Sequence, residues 1–386
     1  MHRTIARRKP APMRLVAPCP AAALAAALAA ALPAPVQAAD PAMPILVPLT
    51  GFLAVEGRSQ RNGAELALKT PPSGAALRYD VSDTGTSPEV AVNAFERAAG
   101  DAATIAVVAP MLGTQMLALL PMAAEAKLPL ITISGTASIT QKGNPYVFRF
   151  FPDDTVTKTA QVRFALEDRG HRRPALITQT TAYGQSGREE ILRLLRERGV
   201  APVYEDALDV SVRDMTPILA KARAAGADSL LLHLHGGPTA LLIKAAASMG
   251  MTLPIVAGSG LSQPSTVALL EPAELGGACA ETASSPISAE TPAMQAFTAA
   301  YRRAFNSDPD AFALAQYDGT MMALNAVAAG AKTPEALTKA LSSGRYEGLG
   351  MTYRSNGRGD MAHSAVIICF DGTGRTPKVV KRYDPS

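Results

Sequence analysis

The chain has 386 residues, of which 48% are hydrophobic and 18% charged, a composition that supports a sizeable core and excludes a largely disordered protein. Its formal net charge of +4 comes from residues 1–39, which hold five basic and no acidic side chains; the rest has 32 basic against 33 acidic residues, a net charge of −1. This near-neutral remainder excludes the strongly positive surface of a nucleic-acid-binding protein.

The first 39 residues have the pattern of a secretory signal peptide. A basic segment ends at Arg14, an Ala- and Leu-rich segment follows at about 15–32, and small residues offer a cleavage site after Ala38 or Ala39. Prolines interrupt the apolar run, which argues against the alternative of a membrane anchor. We therefore expect an exported protein of the bacterial periplasm, with no later segment that spans a membrane.

From residue 43 onward, strand-like and helix-like patterns alternate. Strands are predicted at 43–49, 77–82, 104–109, 128–133, 174–178, 203–207, 229–234 and 253–257. Helices are predicted at 58–69, 88–99, 114–127, 155–169, 186–198, 214–225 and 239–249. Alternation at this spacing predicts βαβ units and parallel sheets, and runs that are apolar throughout, such as TIAVVA, are typical of strands covered on both faces.

The length of the alternating region favours two smaller sheets over one sheet of eight or more strands. Residues 145–154, with Asn-Pro, aromatic residues and then Pro-Asp-Asp, predict a crossover between the two sheets. Later helices are predicted at 291–305, 311–329 and 334–341, followed by a hairpin with its turn at RSNGRGD and its second strand at 364–370. This late helical segment indicates that the chain crosses between two lobes more than once.

Two cysteines follow the signal segment, Cys279 and Cys369, and both lie in apolar strand-like runs. In an oxidising compartment they are candidates for a disulfide, and buried free thiols are the alternative. Neither has a His or Cys beside it at ligand spacing, so they do not predict a metal site.

Polar, Gly-containing segments follow the predicted strands. They are LTG at 49–51, APMLGTQ at 109–115, ISGTAS at 133–138, TTAYGQSG at 180–187, HLHGG at 233–237 and AGSGLS at 257–262. Helix capping explains any one of them. Together, at one edge of two parallel sheets, they predict a cleft lined with N–H and hydroxyl donors, which suits a small anion or zwitterion.

No catalytic motif accompanies these loops. AYGQSG and AGSGL do not satisfy G-x-S-x-G, and neither a P-loop nor G-x-G-x-x-G follows the first strand. His233 and His235 would share one face of a strand, but no nearby carboxylate completes a metal site; His235 is a candidate donor on the cleft wall, with a structural histidine as the alternative. We predict a binding protein that has no enzymatic activity, cofactor or metal.

In combination the segments resemble the leucine/isoleucine/valine-binding proteins, which are type I periplasmic binding proteins of ABC importers. The matching segments, in order, are PLTG, NGAELAL, APMLGTQMLALLPMAAEAKLPLITISGTAS, YVFRFFPDD, AYGQSG and AQYDGTMMAL. The resemblance implies an α/β fold of two Rossmann-like lobes, joined by three crossovers, that close around a ligand. It implies a membrane permease as partner, a first lobe at 40–152 and 284–365, and a second lobe at 153–283 and 366–386.

The resemblance also implies binding residues. Thr136 matches a residue that contacts both the carboxylate and the ammonium of an amino acid, and Ser134 matches one whose carbonyl faces the ammonium. Tyr183 matches a cleft tyrosine of the second lobe, and His235 falls where the family often has an aromatic side chain.

Three positions depart from the family pattern, and the first concerns the ligand's carboxylate. Met111 stands where the family has a carboxylate-binding Ser. The backbone N–H groups of Leu112, Gly113 and Thr114, at the predicted start of a helix, are expected to bind the carboxylate instead.

The other two departures concern the ligand's ammonium. Ser259 stands in place of the acidic residue that neutralises it, and Glu56 stands in place of an aromatic wall residue. Either Glu56 supplies the negative charge, or the ligand is an aliphatic or aromatic acid without an ammonium. The alternative to a binding role for Glu56 is that it is a solvated loop residue.

These observations predict the periplasmic solute-binding component of an ABC importer, which binds a small amino acid of the branched-chain type or a related carboxylate. The alternative is a ligand-sensing module of the same fold that acts on a receptor or a cell-wall enzyme.

Overall fold

The computed structural model describes residues 2, 9–13, 40–288, 290–361 and 363–383. Most of the predicted signal peptide, including its cleavage site, lies outside these residues. The described residues from Asp40 onward belong to one compact unit. A search of the described helices finds none that is long and apolar enough to cross a membrane.

The first sheet is entirely parallel and has the order β2-β1-β3-β4-β5. Its strands are β1 (Ile45–Val47), β2 (Val81–Asp83), β3 (Val107–Val108), β4 (Leu130–Thr132) and β5 (Val147–Arg149). They are connected by α1 (Ala54–Lys69), α2 (Pro88–Gly100), α3 (Gly113–Ala126) and α4 (Ser138–Gln141). The central strands β1, β3 and β4 are buried at every position, as expected for strands with helices on both faces.

The second sheet begins after the chain leaves β5. Helix α5 (Asp154–Arg163), continued by a π-helical turn (Phe164–Asp168), leads to strands β6 (Pro174–Gln179), β7 (Tyr204–Leu208), β8 (Ser229–His233), β9 (Ile255–Ala257) and β10 (Ala278–Thr282). The connecting helices are α6 (Ala182–Glu197), α7 (Thr216–Ala224), α8 (Gly236–Ser248) and the short α9 (Pro264–Val267). These strands are also parallel to their neighbours.

The chain then returns to the first sheet and crosses again to the second. Helices α10 (Pro292–Phe305), α11 (Ala311–Ala328) and α12 (Pro334–Ser343) precede a small hairpin of β11 (Arg345–Glu347) and β12 (Thr352–Arg354). Strands β13 (Ala365–Cys369) and β14 (Lys378–Tyr383) join the second sheet antiparallel, which gives the order β14-β13-β10-β9-β8-β6-β7. Each sheet with its helices is a lobe, and the predicted two-lobed α/β fold is confirmed; the residue boundaries of the lobes stay a prediction.

Three local predictions were wrong. The segment predicted only as a crossover contains β5, which completes the first sheet. The strand predicted at 364–370 exists, but it pairs with β10 and β14 instead of forming a hairpin across RSNGRGD. Helix α1 begins at Ala54, before the predicted start at Arg58, so Glu56 lies in a helix and not in a loop.

A disulfide links two strands of the second lobe, β10 and β13, whose cysteines lie 90 residues apart in the sequence. Cys279 on β10 and Cys369 on β13 lie directly opposite each other and are bonded. Of the two alternatives for these cysteines, the disulfide is the one that the structure has. It ties the last segment of the chain to the parallel part of the sheet.

Candidate ligand-binding site

A cavity lies between the carboxyl ends of the two parallel sheets. It offers about 40 Å³ to the centres of water molecules. Because one enclosed water needs roughly 10–15 Å³ by this measure, the space suits about three waters or a small solute. The lining residues are Leu53, Glu56, Met111, Leu112, Ile133, Gly135, Phe151 and Phe312 from the first lobe, and Tyr183, Leu234, His235, Gly236, Ser259, Gly260 and Gln263 from the second.

The start of helix α3 forms part of the first-lobe wall. Its N-cap residue, Leu112, has no side chain that can bond the free N–H groups of the first turn. Uncapped N–H groups at a helix start favour an anion. A Cβ at Gly113 would lie 2.1 Å from Thr136 Oγ1, so glycine allows the Thr136 hydroxyl to lie directly against this helix start. Thr114, the next residue, is half-buried.

Two hydroxyl groups in the loop after β4 have no hydrogen-bond partner among the described residues. Ser134 is 0% and Thr136 1% exposed, and neither Ser134 Oγ nor Thr136 Oγ1 is bonded. They flank Gly135, which lines the cavity. An unpaired buried hydroxyl costs about 1–3 kcal/mol, so such a pair indicates a place where a ligand or water is bound.

Arg149 holds the loop that carries these hydroxyls. Its fully buried guanidinium donates from Nη1 to the carbonyl oxygens of Ser134 (3.3 Å) and Thr136 (2.6 Å) and from Nε to Asp360 Oδ1 (2.6 Å). The Ser134 carbonyl, expected to face an ammonium, therefore already faces a cation. Sequence reasoning missed Arg149, although a lone arginine in the aromatic run YVFRFF was a usable signal.

The side chain of Glu56, in the first lobe, reaches across the cleft to the second lobe. It lies in the first turn of α1, is 5% exposed, and its Oε1 accepts a hydrogen bond of 3.3 Å from the backbone N–H of Gly236 in the second lobe. Burial raises the pKa of its carboxyl to about 7. The alternative of a solvated loop residue is wrong.

The second-lobe wall is aromatic and uncharged. The ring centroid of Tyr183 is 3.9 Å from that of His233 and 5.2 Å from that of His235. His235 Nε2 lies 3.0 Å from Thr181 Oγ1, and burial lowers the pKa of His235 to about 4, so this imidazole is neutral at pH 7. His233 Nε2 donates to the carbonyl of Tyr183, since only a protonated ring nitrogen can bond a carbonyl.

Ser259, which stands where the family has an acidic residue, contacts Glu281, an acidic residue that the sequence analysis did not identify. Its N–H and Oγ donate to Glu281 Oε1 (3.0 Å) and Oε2 (2.9 Å). Glu281 also pairs with Lys158 Nζ at 2.5 Å, and both side chains are fully buried. The second-lobe carboxylate is thus neutralised by its own lysine and is not available to a ligand.

The structure brings most of the expected binding residues together. The cavity walls include Glu56, Met111, Leu112, Tyr183, His235 and Ser259. The other predicted residues do not line the cavity but lie within two positions of the lining residues Leu112 and Gly135; they are Gly113, Thr114, Ser134 and Thr136. Within the described ranges, no group of three or more His, Cys, Asp or Glu residues could hold a metal ion. The arrangement offers hydrogen-bond donors, apolar walls and one buried carboxyl group, which together suit recognition of a small solute.

The two-lobed fold and the cavity between its lobes are those of a solute-binding protein, and a comparison with known protein families supports this class. A profile of the periplasmic binding protein family matches residues 42–373. The chain belongs to this family. Its two lobes, with a cavity at the carboxyl ends of both sheets, are the type I fold of periplasmic binding proteins.

Two relatives share about a quarter of their aligned residues with this chain. A Leu/Ile/Val-binding protein of Rhizobium johnstonii is 25% identical over 233 residues, which cover 58% of this chain and only 62% of that relative. A Leu/Ile/Val-binding protein homologue of Brucella suis is 24% identical over 78% of this chain and 82% of its own.

Solved structures show the same fold at low identity. A leucine-binding protein, LivK, of Thermotoga maritima has a TM-score of 0.81 at 22% identity and covers 89% of this chain and 99% of its own. LivJ of Streptococcus pneumoniae, solved in complex with isoleucine, has a TM-score of 0.79 at 21% identity with the same coverage.

Proposed function

We propose that this protein is the periplasmic solute-binding component of an ABC importer, and that it binds a small amino acid of the branched-chain type or a related carboxylate without chemical change. The proposal includes export through the predicted signal peptide and a membrane permease as partner. It is supported by the family, by the names of the relatives and by the cavity between the lobes.

A single observation carries the proposal for the ligand. The uncapped start of α3 lies directly against the Thr136 hydroxyl, and the hydroxyls of Thr136 and Ser134, on either side of the cavity-lining Gly135, have no partner among the described residues. Because a carboxylate can accept several hydrogen bonds, it would satisfy these donors at once. Leu53, Ile133 and other apolar side chains line the remaining wall and would contact an aliphatic group.

Contacts between the lobes support binding by closure. The backbone N–H of Ala137, in the first lobe, donates to Ser186 Oγ on α6 of the second lobe at 3.0 Å. The ring of Tyr183 packs on Gly135, where a Cβ would be 3.4 Å from the ring. A ligand held by both lobes would stabilise this closed arrangement, as in other hinged proteins.

The proposal is tested by a thermal-shift screen of the purified protein. The probes are glycine, alanine, valine, leucine and isoleucine, their desamino acids, benzoate, and the matching amides as controls without a carboxylate. Ligand at a hundredfold excess over its Kd stabilises the folded state by about 2.7 kcal/mol and raises the Tm. We expect stabilisation by at least one carboxylate and by none of the amides; a protein that responds to no carboxylate, or equally to an amide, contradicts the proposal.

A further inference from the structure

Glu56 is the one acidic side chain among the described residues that line the cavity, and no lysine or arginine lines it. The nearest second-lobe alternative, Glu281, is engaged by Lys158 and Ser259. A positively charged group in the cavity would therefore find its counter-charge at Glu56.

Glu56 also performs a structural task that normally belongs to a residue of the helix itself. The N-cap of α8 is His235, which makes no capping bond with its side chain because its ring nitrogen lies against Thr181. Glu56, from the opposite lobe, bonds the N–H of Gly236 at the start of α8. A Cβ at Gly236 would lie 2.9 Å from Glu56 Oε1, so glycine allows this approach. A carboxylate at this place also interacts favourably with the helix dipole.

Closure removes water from Glu56, and this desolvation favours the neutral acid. Its pKa rises to about 7, chiefly through burial; Asp310 raises the pKa further, and Arg58 lowers it. The other titratable neighbours, Tyr183 and His235, are neutral at pH 7, since burial raises the pKa of the first and lowers that of the second. Arg58 is exposed and forms no ion pair with Glu56, and no other cation pairs with Glu56 among the described residues, so its charge compensates the lost hydration of the carboxylate only in part.

We propose that Glu56 couples the charge of the ligand to closure of the lobes. As a carboxylate it caps α8 from across the cleft, and the ligand's cationic nitrogen supplies the counter-charge. Closure is then tight around a ligand that has both a carboxylate and an ammonium. This inference rests on the proposed function and narrows its ligands from small carboxylates to amino acids.

Binding calorimetry on three proteins tests the inference: the wild type, Glu56→Gln, and Glu65→Gln as a control on the same helix. Glu65 pairs with the half-exposed Lys69, so its loss removes only a surface ion pair. The probes are two matched pairs, alanine with propionate and valine with 3-methylbutanoate. Glutamine can still accept the Gly236 N–H but has no charge. We expect it to reduce the preference for the amino acid over its desamino partner by about tenfold or more, as expected when a charge-assisted hydrogen bond is lost, while Glu65→Gln leaves the preference unchanged.

The pH dependence gives a readout that a merely structural role would not produce. Without an ammonium, the bound state holds Glu56 at its raised pKa, and binding takes up a proton. Affinity of the wild type for the desamino acid should rise as the pH falls from about 8 to about 5.5, by at most about tenfold per pH unit below 7. Affinity for the amino acid should not rise, and Glu56→Gln should abolish the rise.

The outcomes separate this inference from the proposed function. If the wild type binds neither member of either pair and no carboxylate of the thermal-shift screen stabilises it, both are overturned. If desamino acids bind as tightly as amino acids, or if Glu56→Gln keeps the wild-type preference, only the inference is overturned. Should Glu56→Gln fail to fold, a flat pH profile of the wild type with the desamino acid overturns the inference.

Discussion

Replacing Thr136 with valine should change ligand binding and folding stability in opposite directions. The substitution exchanges a buried hydroxyl, which has no partner among the described residues, for a methyl group of similar shape. Because an unsatisfied buried hydroxyl costs about 1–3 kcal/mol, its removal should leave the free energy of unfolding unchanged or raise it by about 1 kcal/mol. If the hydroxyl bonds the ligand's carboxylate, its loss should weaken binding by about 1.5–3 kcal/mol, which is roughly ten- to a hundredfold in Kd.

Urea unfolding of the ligand-free protein and calorimetric titration with the ligand found by the thermal-shift screen measure the two effects. Thr140→Val is a matched control, because the Thr140 hydroxyl accepts from Arg149 Nη2 at 2.7 Å and donates to Asp360 Oδ2 at 3.0 Å. That variant should be destabilised by about 1–3 kcal/mol, since it removes a hydrogen bond to the buried guanidinium of Arg149. Wild-type affinity in Thr136→Val, or a loss of stability as large as that of Thr140→Val, would refute the assignment of the Thr136 hydroxyl to the ligand.

Two further predictions concern stability. Lys158→Met leaves Glu281 buried without its cation, so the free energy of unfolding at pH 7 should fall by about 3–5 kcal/mol. Wild-type stability of this variant in a urea titration at pH 7 would argue against the pairing. The Cys279–Cys369 disulfide spans 90 residues, and its removal by replacing both cysteines with alanine should cost about 2–5 kcal/mol. Identical urea midpoints with and without the disulfide would contradict the prediction that the disulfide stabilises the folded protein.

Much of the fold was predictable because it depends on local patterns. Strand runs such as the one around Val107 are apolar at each position, and helices such as α2 begin at a Ser-Pro signal with an N-cap hydroxyl. β5 was missed because it is only three residues long and lies in an aromatic segment that also reads as a crossover. The predicted partner of β13 was wrong because strand pairing is non-local, and a short turn does not determine which sheet a later strand joins.

The binding site was predictable as a set of loops but not as a set of contacts. Gly-containing loops after parallel strands meet at one edge, which placed the segments 133–138, 180–187 and 233–237 in the predicted cleft, with His235 as a candidate donor. Thr136 and Tyr183 were named within these segments by the family resemblance. Arg149 was missed because its role depends on carbonyl groups of a loop that precedes it in sequence. Glu281 was missed because its position beside Ser259 follows from neighbouring strands of the second sheet.

The sequence by itself determined the alternation of strands and helices, the two-lobed α/β class and the edge of the sheets at which the loops gather, because these follow from periodicity, helix signals and parallel topology. Only the tertiary structure decided that Cys279 and Cys369 are bonded, that Lys158 neutralises Glu281, and that Glu56 is buried against the other lobe. These are contacts between residues 90 to 180 positions apart. The first two contacts arise when the second lobe packs, and the third arises when the two lobes close. No local pattern of residues records which distant partner a buried charge or thiol will meet.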